Sequence, residues 1–353
     1  MKRYSYAISE VDVTKYELQD TLVSILTRNL TAQSRQRIIW NYQNCPSGRA
    51  RCWMAKETQS QACVGSGALF PRTLFINGNP VTAAIAGDFA VDAIHRAYGP
   101  ALRIQKAIQS SVENNDFKLI YGLPNRLSEA IFLKIGYRKI GKFNKFVKVL
   151  RTEYKAKKYL LPFLRVKIFS YILDSVIKFL SRENWYKKTT DFSIETPEHF
   201  DQRFDKLWET TLKQSNIIGE RTSEFLGWRY KQSPAQKYKI FCIIDKKINI
   251  AGYIIYYDKD NMGHIVDMIF IKSNRILDTL LAKFILYLRE KGIGSISIYY
   301  MGNNLVEEKL KQFNFFLRKE EDTRILIYSR NSSFEAQLLD KNNWHFLAGD
   351  NDI

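Results

Sequence analysis

The chain has 353 residues, 45% apolar and 14% aromatic. Such a composition builds a core, which excludes a disordered or low-complexity protein, and at roughly 150 residues per domain it points to two domains. Lys and Arg number 54 against 36 acids, and the resulting +18 calls for a polyanionic partner: nucleic acid, anionic lipid or a phosphorylated substrate.

In chain order, the hydrophobic patterning predicts a helix over Lys15 to Leu30, then the string W-x-Y-x-x-x-P at Trp40, Tyr42 and Pro46, and a strand over Ala50 to Ala55. A strand from Thr82 to Val91, a helix from Ala101 to Glu113, a strand from Phe117 to Tyr121, a helix from Leu127 to Ile135 and a strand from Arg138 to Leu150 complete the first half. The second half repeats this order. A helix over Pro197 to Ser215 precedes Trp228, Tyr230 and Pro234, each 188 residues after its counterpart, and a strand over Tyr238 to Ile244. Then come His264 to Phe270, Arg275 to Lys291, Ser295 to Tyr300, Leu305 to Phe313 and Thr323 to Tyr328. A second echo, Pro124-Asn125-Arg126 against Gly302-Asn303-Asn304, is offset by 178. Two copies make a tandem duplication rather than a solenoid. The expected fold class is mixed α/β (α+β), each half a mixed central sheet flanked by helices: residues 1–153, a basic amphipathic linker 154–190, and residues 191–353.

The charge is local. Residues 134–188 hold 16 Lys/Arg and three acids, which is +13 of the +18. The stretch Tyr154 to Arg182 reads as a helix with a wide apolar face and belongs to neither copy. Its most apolar window is interrupted by Arg165, Lys167, Asp174 and Lys178, too many charges for a spanning helix. Such a helix packs between the halves or lies against an anionic membrane surface through residues 154–182. No helix-turn-helix, zinc-finger or RNP signature supports nucleic-acid binding. Four cysteines without CxxC spacing argue against a metal or redox site, and the polar start has no signal-peptide run, so a cytoplasmic protein, placed at the inner face of the membrane if that helix touches it, is expected.

Chemistry is legible at the junction Arg96-Ala97-Tyr98-Gly99-Pro100-Ala101. Glycine lets backbone approach a ligand, proline suits a first helical turn, and the N–H groups of a helix N-terminus together with an arginine attract phosphate. Taken alone, the pattern is equally that of a capped helix with a surface arginine. It is followed by Leu119-Ile120-Tyr121-Gly122, Pro124-Asn125 and a helix ending Phe132-Leu133-Lys134-Ile135-Gly136-Tyr137. This run, about Gly87 to Tyr137, resembles the GNAT superfamily of acyl-CoA N-acyltransferases. Gly87-Asp88-Phe89-Ala90-Val91-Asp92, Tyr121 to Asn125 and the ending Trp344 to Asp350 look like the tandem two-domain members linked to bacterial surface-polysaccharide synthesis.

The resemblance implies acetyl-CoA or another acyl-CoA as cofactor. The amides of Arg96, Ala97, Tyr98, Gly99, Pro100 and Ala101 would hold its pyrophosphate, Val91 would face pantetheine, and Asn125 would contact the arm. Phe132 stands where many members carry a tyrosine that protonates the thiolate, leaving Tyr121 or Tyr137 as substitutes. Asp88 is the candidate base, with a turn cap or a pair with Arg96 as its structural alternatives; His95 lies beside the loop. In the second copy the junction reads Phe270 to Arg275 without glycine, so that half is expected to be degenerate and to wall the acceptor site. Trp344, Asp350 and Asp352 reach the acceptor cleft or form a surface tail. The implied acceptor is an amine, such as a nucleotide- or lipid-linked amino sugar, with no metal. A Fem-type aminoacyl transferase and a non-catalytic acyl-CoA-binding protein are the alternatives.

Overall fold

The computed structural model describes residues 4–151, 179, 181–186, 191–318, 323–330 and 335–351. The basic helix expected over 154–182 lies almost wholly outside them, as do residues 187–190 of the linker and Asp352.

The first half starts with a strand that the patterning did not reveal, β1 (Tyr6–Val11), followed by α1 (Tyr16–Asn29). Helix α1 buries Leu22, Ile25 and Leu26, the 3-4 spacing of one helical face. A single turn, α2 (Arg35–Ile38), is capped by Ser34 and runs into a π-helical turn, Ile39–Gln43, which carries Trp40 and Tyr42. Three antiparallel strands follow: β2 (Arg51–Glu57), β3 (Cys63–Ile76) and β4 (Asn79–Val91). After α3 (Pro100–Glu113), β5 (Leu119–Gly122) pairs parallel with β4, and α4 (Arg126–Lys134) follows. Helix α3 buries Ala101, Ile104, Ile108 and Val112 against the sheet face opposite α1.

The strand expected over Arg138 to Leu150 is two strands, β6 (Arg138–Lys142) and β7 (Asn144–Val149), broken at Phe143. The break has a topological cause, because β7 leaves its own half. It lies antiparallel along a second-half strand, from Ser295↔Val149 to Tyr300↔Asn144.

The second half is built from β8 (Ser193–Glu195), α5 (Gln202–Leu212), β9 (Ile217–Gly219), α6 (Ser223–Leu226) with a π-helical turn Gly227–Lys231, β10 (Lys239–Ile244), β11 (Ile250–Lys259), β12 (Met262–Phe270), α7 (Asn274–Glu290), β13 (Ser295–Gly302), α8 (Asn304–Gln312) and β14 (Phe316–Arg318). Its last long strand, β15 (Arg324–Ser329), returns the exchange by inserting between β5 and β6. Where the two exchanging segments cross, Phe143 N–H donates to the Thr323 carbonyl at 2.9 Å. Helix α9 (Glu335–Leu339) leads to β16 (Trp344–Leu347). Among the described residues all sixteen strands form one sheet.

The repeated W-x-Y strings meet each other. Trp40 and Trp228 stack with ring centroids 5.0 Å apart, and each indole N–H donates to the other's carbonyl, at 2.9 and 3.1 Å. A reciprocal contact of this kind is what a two-fold relation between copies produces. The relation also inverts direction. Strand β3 descends to Ile76, where it pairs antiparallel with β9; β16 is parallel to β9, and β13 is antiparallel to β16. The parallel pair β4/β5 and its counterpart β12/β13 therefore point to opposite ends of the sheet.

Candidate active site

Strands β4 and β5 pair at Ala83↔Leu119, Ala84↔Ile120 and Ile85↔Tyr121, and then part. Gly122 stands at the fork: a Cβ there would lie 2.9 Å from the Ala86 carbonyl oxygen, so only glycine permits this approach. The fork is lined on the α3/α4 side by Phe89 and Phe132, whose rings lie 5.9 Å apart edge to face. Strand β4 also bulges at this level, since the register against β3 shifts between Ser66 and Ala68 and Asp88 adopts a φ of 47°. Asp92 N–H donates to Val64 on β3 at 2.9 Å. Backbone N–H groups alternate along a strand, so that of Val91 points the other way, into the fork.

Above the fork, the chain makes a 3-10 turn over Ala93–Tyr98 and enters α3 through Gly99, whose φ is 90°. This left-handed residue costs glycine nothing and other residues about 1–2 kcal/mol. No side chain caps α3, leaving the amides of Ala101 and Leu102 directed out of a 14-residue helix. Arg96 is exposed and donates from Nε to the Val91 carbonyl at 2.9 Å, which fixes its guanidinium at the mouth. The loop is tied down by Asp92, which accepts from Arg28 at 2.7 and 2.8 Å and from Asn29 at 2.6 Å. Ala97 and Tyr98 are exposed beside it. Asn125 caps α4, accepting from the amides of Leu127 and Ser128 at 3.1 and 3.0 Å, and its NH2 group faces solvent at the second lip.

Other expected residues stand elsewhere. Tyr121, expected as a proton donor, projects to the face carrying α1 and gives its hydroxyl hydrogen to the Asp350 carbonyl at 2.9 Å. Burial pushes its phenol up, so it is both turned away from the α3/α4 side and a poor acid. Tyr137 packs 4.8 Å from Phe132 on the α3/α4 side, with a buried hydroxyl that has no partner among the described residues. His95 is buried, shares a 2.9 Å hydrogen bond with the Tyr6 hydroxyl and packs edge to face against Tyr4.

Asp88 is neither a turn cap nor paired with Arg96. Its carboxylate points to the α1/α2 face and takes both prongs of Arg37, at 2.8 and 2.9 Å, and the Tyr42 hydroxyl at 2.7 Å. Three donors hold a group that the sequence offered as a proton acceptor. The second half repeats the device: Tyr230 donates to Asp267 at 3.3 Å beside a bulge of β12, and Arg221 lies 2.8 Å from the same carboxylate. Sequence reading missed Arg37 and Tyr42; the signal available was that both tyrosine and aspartate recur in each copy.

The C-terminal segment is no surface tail. Trp344 and Asp350 are buried, and Asp350 accepts from Arg221 at 2.7 Å, Arg72 at 3.2 Å and the Leu347 amide at 3.0 Å. Burial alone would raise its carboxyl, but the two arginines outweigh that and hold it at about 2.

The sequence matches no protein-family model and no curated protein. Solved structures do share the fold over most of the chain. A conserved protein of unknown function from Enterococcus faecalis V583, described as a probable N-acyltransferase, superposes with a TM-score of 0.65 at 13% identity, covering 95% of this chain and 74% of that one. A GCN5-related N-acetyltransferase from Anabaena variabilis gives 0.65 at 13% identity, covering 93% and 73%. Saccharomyces cerevisiae N-myristoyltransferase with bound myristoyl-CoA gives 0.59 at 12% identity, covering 92% and 82%. The fold is that of the GCN5-related N-acetyltransferases.

Proposed function

We propose that the chain is an acyl-CoA-dependent N-acyltransferase whose first half binds the cofactor and whose acceptor is the amine of an amino sugar. The observation that carries this reading is the fork: a parallel pair parted at Gly122, with an uncapped helix N-terminus, a left-handed glycine and Arg96 gathered above it. These residues suit a pyrophosphate joined to a narrow arm. The Ala101 and Leu102 amides with Arg96 would hold the phosphates, the Asn125 NH2 and Val91 the arm, and Phe89 and Phe132 its apolar end. When bound, acyl-CoA supplies an activated thioester. The Val91 N–H, directed into the fork, is placed to polarise an acyl carbonyl. The amine attacks as the free base from the α1/α2 face, where Asp88 holds Arg37 and Tyr42 in position. The reading of two copies, residues 1–153 and 191–353, rests on the reciprocal tryptophans; the second copy's fork receives β16, which makes it unlike the open first fork.

The test is release of free thiol from acetyl-CoA in the presence of amino sugars, with neutral hydroxy sugars as controls. Amine-dependent release whose rate rises with pH as the acceptor deprotonates is expected. Cofactor binding without transfer to any amino sugar would favour a binding protein instead.

A further inference from the structure

The first half has the proposed cofactor fork; the corresponding strand pair of the second half opens at the other end of the sheet and borders a half-open cleft. Strands β12 and β13 pair from Met262↔Ser295 to Ile265↔Ile298 and then part, as β4 and β5 do. Into this fork runs β16, pairing with β13 at Tyr300↔Leu347, Met301↔Phe346 and Gly302↔His345. The cleft is what remains outside β16, bounded by the start of α8 and the end of α5. It stands apart from the first fork by about the length of β4, roughly 40 Å at 3.3 Å per residue.

Its chemistry differs from that of the first fork. No carboxylate lines it, and Lys272 at the rim is its one lysine or arginine. The polar groups are mainly carboxamides. Asn216 donates one N–H to Asn343 at 2.8 Å, and Asn303 spends its oxygen on the Leu305 amide at 2.8 Å. The Asn216 oxygen, the Asn303 NH2 and both ends of Asn342 have no protein partner among the described residues. His345 adds an acceptor: its Nε2 lies 2.8 Å from the Met268 carbonyl, which can only accept, so Nε2 carries the proton and Nδ1 offers a lone pair. Burial disfavours the imidazolium and keeps the ring neutral. Phe270, Leu305 and Val306 supply an apolar wall.

We propose that this cleft is a second, separate binding site for a neutral polyhydroxylated molecule such as a sugar. Free donors and acceptors together match hydroxyl groups, each of which both gives and takes a hydrogen bond, while an anion would leave the His345 and Asn216 acceptors facing negative charge. The inference is independent of acyl transfer at the first fork.

The experiment is titration of the full chain with glucose and N-acetylglucosamine, read by saturation-transfer NMR, alongside inorganic phosphate. Three proteins are compared: wild type, Leu305→Trp, which fills the cleft from a half-buried position on α8, and Lys272→Gln, which removes the rim charge. Saturable binding of at least one sugar is expected in wild type and Lys272→Gln and at least tenfold weaker binding in Leu305→Trp, with acetyl-CoA binding equal in all three. Absence of sugar binding, binding of phosphate that is lost in Lys272→Gln, or sugar binding that survives Leu305→Trp and is displaced by acetyl-CoA would each overturn the proposal.

Discussion

At the residue scale the molecule is governed by buried carboxylates held by arginines. Asp350 sits at about 2 because Arg221 and Arg72 outweigh the penalty of its burial. A carboxyl depressed in the folded state lends stability above its unfolded pKa and loses it as pH falls through the folded value. Acidification from about 4 to about 2 should therefore remove about 2 kcal/mol from this one site. Urea unfolding across that interval is expected to show the decline in wild type and a flatter profile in Asp350→Asn, from a lower starting stability. Asp88 makes a sharper case, since removing it takes away the carboxylate that accepts two hydrogen bonds from the buried Arg37 guanidinium. Asp88→Leu is expected to cost about 3–5 kcal/mol, while Asp88→Leu combined with Arg37→Met restores much of that loss, because a buried pair replaced whole is far cheaper than a pair broken. A double-mutant cycle in thermal unfolding checks both values; equal losses in the single and double variants would mean that Arg37 has other compensation.

At the scale of elements, the two tryptophan turns form a single contact. Trp40→Ala and Trp228→Ala are each expected to destabilise by about 3–5 kcal/mol, but the double variant by clearly less than their sum, because either change removes the same ring stacking, while each takes away only its own indole N–H donor. Most elements were legible: α1, α3, α4, α7 and α8 fall within a few residues of their expected bounds, since their apolar residues recur at helical spacing, although α4 fully buries only Phe132. The loop at Arg96 to Ala101 was also legible, because glycine followed by proline at a helix start is a local signal. What was not legible depends on distant partners. Strand β1 alternates weakly because it lies at a sheet edge with three of its six residues exposed. The division of β6 from β7 follows from the pairing of β7 with β13, about 150 residues away, which no local pattern encodes. The partners of Asp88 were not legible for the same reason: Arg37 and Tyr42 lie about fifty residues away in sequence and meet it only through the fold.

At the scale of the whole molecule, the exchange of β7 and β15 joins the halves into one sheet, while the opposite directions of β4/β5 and β12/β13 send their forks to opposite ends. Only the first fork stays open above its glycine; in the second, β16 lies against β13. The basic charge does not mark the first fork, where Arg96 is the single Lys or Arg of the loop; +13 of the +18 falls on residues 134–188, the end of the first half and the segment that follows it. The most direct measurement of the central claim is a thermal-shift titration with acetyl-CoA of wild type, Gly99→Val in the first loop and Arg275→Glu at the corresponding second-half helix. At 100 times the dissociation constant, stabilisation of about 2.7 kcal/mol is expected in wild type and in Arg275→Glu, with little or none in Gly99→Val. No shift in wild type, or an equal shift in Gly99→Val, would contradict a cofactor site at the first fork.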